Sequence, residues 1–169
     1  MKRFHFLIFL FLTISSFGQT ARVTAIKAGK LIDTENGKLM TNQIILISGD
    51  TIQAVGSDLK IPANATVIDL SSTTVLPGLI DCHTHLTQQV GGNYYEDIFR
   101  KSPIDYAVIA HLNAKHTLEA GFTTCRDVGA QAFIDVALKK AINKGDIEGP
   151  RMIVATLFIG STGSICAGG

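Results

Sequence analysis

The densest set of chemistry-bearing side chains in this 169-residue chain is Asp81-Cys82-His83-Thr84-His85. Residues two apart on an extended strand project to the same face, so His83 and His85 present two imidazoles to one side. Two neutral imidazoles can hold Zn²⁺ or a similar divalent ion when the remaining ligands come from elsewhere. Asp81 shares that face and could join the ligands or orient one imidazole. The plainer alternative is a pair of histidines satisfied by backbone, since a His-x-His spacing also arises by chance. The context Leu76-Pro77-Gly78-Leu79-Ile80 favours the metal, because it sets the pair after a turn and at the C-terminal end of a short apolar strand. In folds with parallel strands, ligands gather at that end.

Other candidates carry less. His5 lies in an apolar N-terminal segment, and His111 and His116, five apart, read as exterior or packing residues of a helix. Cys82, Cys125 and Cys166 form an odd set without Cys-x-x-Cys spacing, so no disulfide scaffold is expected. Cys82 and Cys125 read as small buried hydrophobes. Glu96 and Asp97 could touch a substrate, but a solvated loop explains them more simply. A net charge of +1 gives no basic footprint for nucleic acid.

The elements that must position the histidine pair can be read from the pattern. Residues 23–28, 43–48, 51–55 and 66–69 are rich in Val, Ile and Thr and are separated by Asn36-Gly37, Gly49-Asp50, Gly56-Ser57, Pro62 and Asn64. They predict short strands, with a hairpin at Ser48-Gly49-Asp50, in an antiparallel sandwich or small barrel. From Val75 the pattern changes to strand (79–82), polar loop (87–101), helix (104–120), strand (122–128), helix (132–143) and an apolar run (151–159). Ser102-Pro103 reads as an N-cap with Pro at the first helical position, and Gly121 as the C-terminal cap. Phe133, Val136, Ala137 and Ala141 predict the apolar face of the second helix, ended by Gly145. This alternation implies parallel strands with right-handed crossovers.

The N-terminus has its own character. Lys2-Arg3 precede an apolar run over 4–12, and Ser16 and Gly18 follow. That is the layout of a secretory signal peptide over 1–18, cleaved before Gln19, and it predicts export to a periplasmic or extracellular location. The run is short of the ~20 residues that a membrane span needs, and no later stretch reaches that length. Without the leader, 13 basic residues face 14 acidic ones.

The stretch from Val75 to Leu86, Val-Leu-Pro-Gly-Leu-Ile-Asp-Cys-His-Thr-His-Leu, resembles the first barrel strand of metal-dependent amidohydrolases. Ala120-Gly121-Phe122-Thr123-Thr124-Cys125-Arg126-Asp127-Val128-Gly129 resembles the second strand in the imidazolonepropionase-like and Xaa-Pro dipeptidase-like branch. Residues 142–151 resemble the approach to the third strand, and residues 22–76 the N-terminal part of the family's composite β-sandwich. The resemblance implies an α/β chain in three parts: the leader 1–18, the sandwich portion 19–76, and over 77–169 the first two to three βα units of an incomplete (β/α)8 TIM barrel. It implies one or two divalent ions, most simply Zn²⁺, with His83 and His85 as ligands. It also implies hydrolysis of a C–N bond in a small-molecule or dipeptide-like substrate by a metal-activated water. Asp127 matches a recurrent position but reads as a structural hydrogen-bond acceptor near the barrel mouth. Arg126 likewise receives no catalytic role.

The chain also departs from the family pattern. A complete barrel needs about 200 residues, and 91 lie between Leu79 and Gly169. The family's remaining ligands and its proton-shuttling Asp come from later strands. Ser164 and Ile165 stand where the branch tends to carry Gly-His. The expectation is therefore the N-terminal part of such an enzyme, inactive alone, or else a non-catalytic remnant or exported binding module.

Overall fold

The computed structural model describes residues 22–88 and 94–161. The expected leader, residues 1–18, and Cys166, Ser164 and Ile165 lie outside them. The chain divides into two compact units, one ending at Leu76 and the other beginning at Pro77.

The first unit is a four-stranded sheet of β1 (Val23–Asp33), β2 (Lys38–Ser48), β3 (Thr51–Gly56) and β4 (Thr66–Val75), in the order β3-β2-β1-β4. Two hairpins build three of the strands. At the first, Asp33 Oδ1 accepts the backbone N–H groups of Glu35 and Asn36 at 3.0 and 3.2 Å, and Gly37 takes φ 65°. At the second, Ser48 pairs with Thr51 across Gly49-Asp50, as expected from the turn residues. The fourth strand corrects the antiparallel expectation, because β4 runs parallel to β1. The register of that pair slips between Ala28 and Lys30, opposite Leu70 and Thr74. Gly29 sits at the slip, where a Cβ would press on the Ser71 carbonyl, whose carbon would be 2.7 Å away. Ala28, Leu31 and Ile45 form the core of this sheet, with Ile26, Met40, Ile47 and Val75 packed around them.

The second unit runs β5 (Leu79–Thr84), α1 (Tyr94–Arg100), α2 (Pro103–Glu119), β6 (Phe122–Asp127), α3 (Ile134–Lys144) and β7 (Arg151–Val154). The three strands are parallel, in the order β5-β6-β7. Tyr106, Ala110 and Ala114 repeat every four residues along α2, while Ile134, Leu138 and Ile142 do so along α3. These stripes pack with Cys125 of β6 and Met152 of β7. Ser102 opens α2 as expected: Asp105 Oδ2 accepts both its N–H and its hydroxyl at 2.7 Å.

Four expectations need correction. The loop 87–101 contains the short helix α1, stabilised by i,i+4 ion pairs Glu96–Arg100 at 2.9 Å and Asp97–Lys101 at 2.7 Å. Glu96 and Asp97 are thus its first-turn acids, well placed against the helix dipole. Phe133 is the left-handed N-cap of α3 and lies 54% exposed, and Ala137 is also exposed, so the packed face is Ile134-Leu138-Ile142 instead. The apolar run 151–159 forms a strand only as far as Val154. Cys82 is exposed, whereas Cys125 is buried as expected. His111 and His116 are both exposed on α2. No described helix is long and apolar enough to cross a membrane.

Candidate functional site

The C-terminal ends of β5, β6 and β7 are stitched together by main-chain bonds. Val128 N–H donates to Thr84 O at 3.0 Å, Ala155 N–H to Asp127 O at 2.9 Å, and Ala130 N–H to Thr156 O at 2.6 Å. Thr84 Oγ1 donates to Arg126 O at 3.2 Å. This edge is where the histidine pair stands. His83 is exposed near the end of β5, and His85 is half-buried just beyond it. Their ring centres lie 5.5 Å apart with planes at 75°.

Asp81 does not orient an imidazole. Its Oδ1 accepts the backbone N–H of His83 at 3.0 Å, so it shapes the strand end from which the ring hangs. The strand is irregular there: Asp81 pairs with Cys125 but Thr84 with Asp127, leaving one extra residue on β5. Such a bulge re-aims side chains next to functional sites.

His85 is oriented from the neighbouring strand. Its Nδ1 lies 2.9 Å from the Gly129 carbonyl oxygen. A carbonyl only accepts, so Nδ1 carries a proton, and in the neutral ring that leaves the lone pair on Nε2. Phe158 packs against the same ring at 5.4 Å between centres. Asp127 is fully buried, with Oδ2 accepting Leu86 N–H at 2.7 Å and Oδ1 accepting Gly129 N–H at 3.3 Å. It is thus the hydrogen-bond acceptor at the strand ends that the sequence suggested. Burial pushes its carboxyl above the ordinary value, and the two N–H groups oppose that shift. Burial also raises the Cys125 thiol, in keeping with a packing role. Arg126, on the opposite pleat, is exposed.

The spacing of the two imidazoles is compatible with a shared divalent ion. Imidazoles that share an ion at ~2.0–2.1 Å from each nitrogen have ring centres about 5 Å apart at a tetrahedral angle, close to the observed 5.5 Å. A ligating His characteristically donates its other ring N–H to a carbonyl or carboxylate, as His85 does. Among the described residues no three or more His, Cys, Asp or Glu are arranged so that they could hold a metal ion together.

Two contributors to this site carried no usable signal in the sequence. The Gly129 carbonyl is main chain, and Phe158 lay in a stretch read only as an apolar run.

The family model described as "Amidohydrolase family" matches residues 74–165, just over half of the chain. The chain belongs to the amidohydrolase family. It is 32% identical over 124 residues to an imidazolonepropionase of Idiomarina loihiensis, covering 71% of this chain and 29% of that protein. It is 41% identical over 73 residues to a dihydroorotase of Geotalea daltonii, covering 43% of this chain and 17% of that protein. Among solved structures it superposes on a Xaa-Pro dipeptidase with bound methionine, with TM-score 0.78 and 33% identity, over 85% of this chain and 36% of that one. The chain thus spans about a third or less of the length of these relatives. The amidohydrolase fold accounts for both units: the sheet as the N-terminal part of a composite β-sandwich, and β5–β7 with their helices as the opening of the (β/α)8 barrel.

Proposed function

We propose that this chain supplies the first metal-binding strand of a hydrolase acting on C–N bonds in dipeptide-like or other small amide substrates. The observation that carries the reading is the His83–His85 pair at the C-terminal strand ends, with the His85 Nδ1 proton held on Gly129 O. His83 and His85 would hold a divalent ion, most simply Zn²⁺. When bound, such an ion lowers the pKa of water toward neutrality and polarises a carbonyl. The chain's own contributions are positional. Asp81 turns the main chain at His83, Gly129 O holds the His85 proton on Nδ1, and Phe158 packs against that ring. The similarity to a Xaa-Pro dipeptidase and an imidazolonepropionase supports amide-type substrates, linear or cyclic. The basic-then-apolar segment over 1–18 supports export.

Tight Zn²⁺ sites use three or four protein ligands. Residues 1–169 by themselves are therefore expected to bind metal weakly and to turn over no substrate. The test is metal content by mass spectrometry and hydrolysis of a panel of Xaa-Pro dipeptides, N-acyl amino acids and cyclic amides by the complete protein. Activity that disappears together with bound metal in His83→Ala/His85→Ala supports the reading. Full occupancy and turnover in that variant would refute it.

A further inference from the structure

We propose that Asp127 is a positioning residue for His85, gripping through one buried carboxylate both the main chain that follows the ring and the N–H of the residue whose carbonyl accepts its proton. The proposal rests on the reading of His85 as a metal ligand. Leu86, whose N–H donates to Asp127 Oδ2 at 2.7 Å, is the next residue after His85. Gly129, whose N–H donates to Oδ1, is the residue whose carbonyl takes the His85 Nδ1 proton. The two anchorages come from different strands, and one side chain joins them.

A second buried carboxylate braces the next peptide, Gly129–Ala130, indirectly through Thr156. Asp135, in the first turn of α3, is fully buried and accepts Thr156 N–H on Oδ2 at 2.8 Å. Thr156 O in turn accepts Ala130 N–H at 2.6 Å. Ala130 N–H and Gly129 C=O belong to one peptide plane. That plane is therefore fixed at its N–H end by Thr156 and offers its C=O end to His85. A peptide whose N–H is engaged is also a better acceptor at its oxygen. With this plane locked, His85 keeps its proton on Nδ1 and its lone pair on Nε2. With the plane free to turn, the ring can move its proton to Nε2, the form that cannot ligate through that atom.

The chemistry requires a carboxylate. Two N–H groups converge on residue 127, and an ionised Asp accepts at both oxygens, whereas Asn must set an NH₂ against one of them. Asp127→Asn therefore releases one anchorage with almost no change of volume.

The test reads the ring directly. In the full chain with ¹⁵N-labelled histidine, without metal and at a pH above the ordinary histidine range, long-range ¹H–¹⁵N spectra give the tautomer of each His. The wild-type His85 is expected as Nδ1–H, Asp127→Asn is expected to move it to a tautomer mixture, and the exposed His111 and His116 are expected to stay unchanged as internal controls. Zn²⁺ alone, titrated into the same samples, should bind on the order of 10–100-fold more weakly to the variant. If Asp127→Asn does not fold, Asp135→Asn, which loosens the Gly129–Ala130 peptide from the Thr156 side, should shift His85 in the same direction. A folded variant whose His85 remains Nδ1–H, or a wild-type His85 that is Nε2–H, overturns the proposal. A tautomer shift in a protein whose wild type binds no Zn²⁺ would instead remove the metal reading and leave Asp127 as the residue that orients His85.

Discussion

Gly129 offers the sharpest test of how the strand ends are packed. The three atoms nearest a Cβ built at this position all belong to the Phe158 ring, with Cγ 2.9 Å away and Cδ1 and Cε1 closer still. Carbon atoms pack at about 3.5–4.0 Å, so Gly129→Ala must displace the ring or turn the peptide. Overpacking of this kind costs about 1–3 kcal/mol. In a unit of this size each kcal/mol corresponds to a fall of about 4–8 °C in melting temperature. Because the displaced ring is the one that packs on His85 at 5.4 Å, the substitution should also perturb that imidazole. The assay is a double-mutant cycle in urea or heat. Phe158→Ala removes the obstacle, so Gly129→Ala should cost at least about 1 kcal/mol less in the Phe158→Ala background than in the wild type, a coupling typical of residues in contact. An equal cost in both backgrounds would show that the glycine is needed for its backbone and not for the ring, and would refute the packing argument.

Two further predictions concern stability. Thr87 is fully buried, and its Oγ1 has no hydrogen-bond partner among the described residues. Thr87→Val keeps the shape and removes an unsatisfied hydroxyl worth about 1–3 kcal/mol, so urea unfolding should show unchanged or greater stability; a clear loss would mean that the hydroxyl is satisfied. The Asp105 carboxyl is held below its ordinary value by the Ser102 hydroxyl and then by the Ser102 N–H. A depressed folded value adds stability above the unfolded value, and that gain is lost as pH falls through the folded one. The melting-temperature gap between wild type and Asp105→Asn should therefore be present at pH 7 and shrink below about pH 4, and a gap that stays constant with pH would contradict it.

Much of the second unit was legible in the sequence because its signals are local. Ser102-Pro103 and Gly121 bracket α2 within a residue of its observed ends, since capping and the exclusion of Pro from helix interiors act over a few bonds. The hairpin at Gly49 was legible for the same reason, whereas Asn36-Gly37 marked a turn without showing that β1 and β2 pair across it. Parallel pairing of β4 with β1 was not, because strand propensity carries no information about which distant edge a strand joins or in which direction. The face of α3 was misread because Phe133 is the larger apolar residue, yet its φ of 56° puts it outside the helix. Ile134-Leu138-Ile142 has the same four-residue period as a helical stripe, and only packing against β7 chooses between two such stripes. Helix α1 left no such signal in the sequence, because its support is ion pairing on a polar surface and not a hydrophobic stripe.

The candidate site divides in the same way. His83 and His85 could be named as candidates from their spacing together with the turn and short apolar strand that precede them, since these are relationships along the chain. The sequence also marked Asp127 as an acceptor near the strand ends. What the acceptor holds was decided by the tertiary structure. Leu86 N–H and Gly129 N–H meet on one carboxylate, and Gly129 O meets His85 Nδ1, across 41 and 44 residues of chain. Main-chain donors and acceptors are the same at every position and leave no mark in the residue string. Only the parallel pairing of β5 with β6 brings those particular peptides within hydrogen-bond reach. The sequence therefore determined which side chains could bind an ion, and the fold determined which imidazole nitrogen is left with its lone pair to do so.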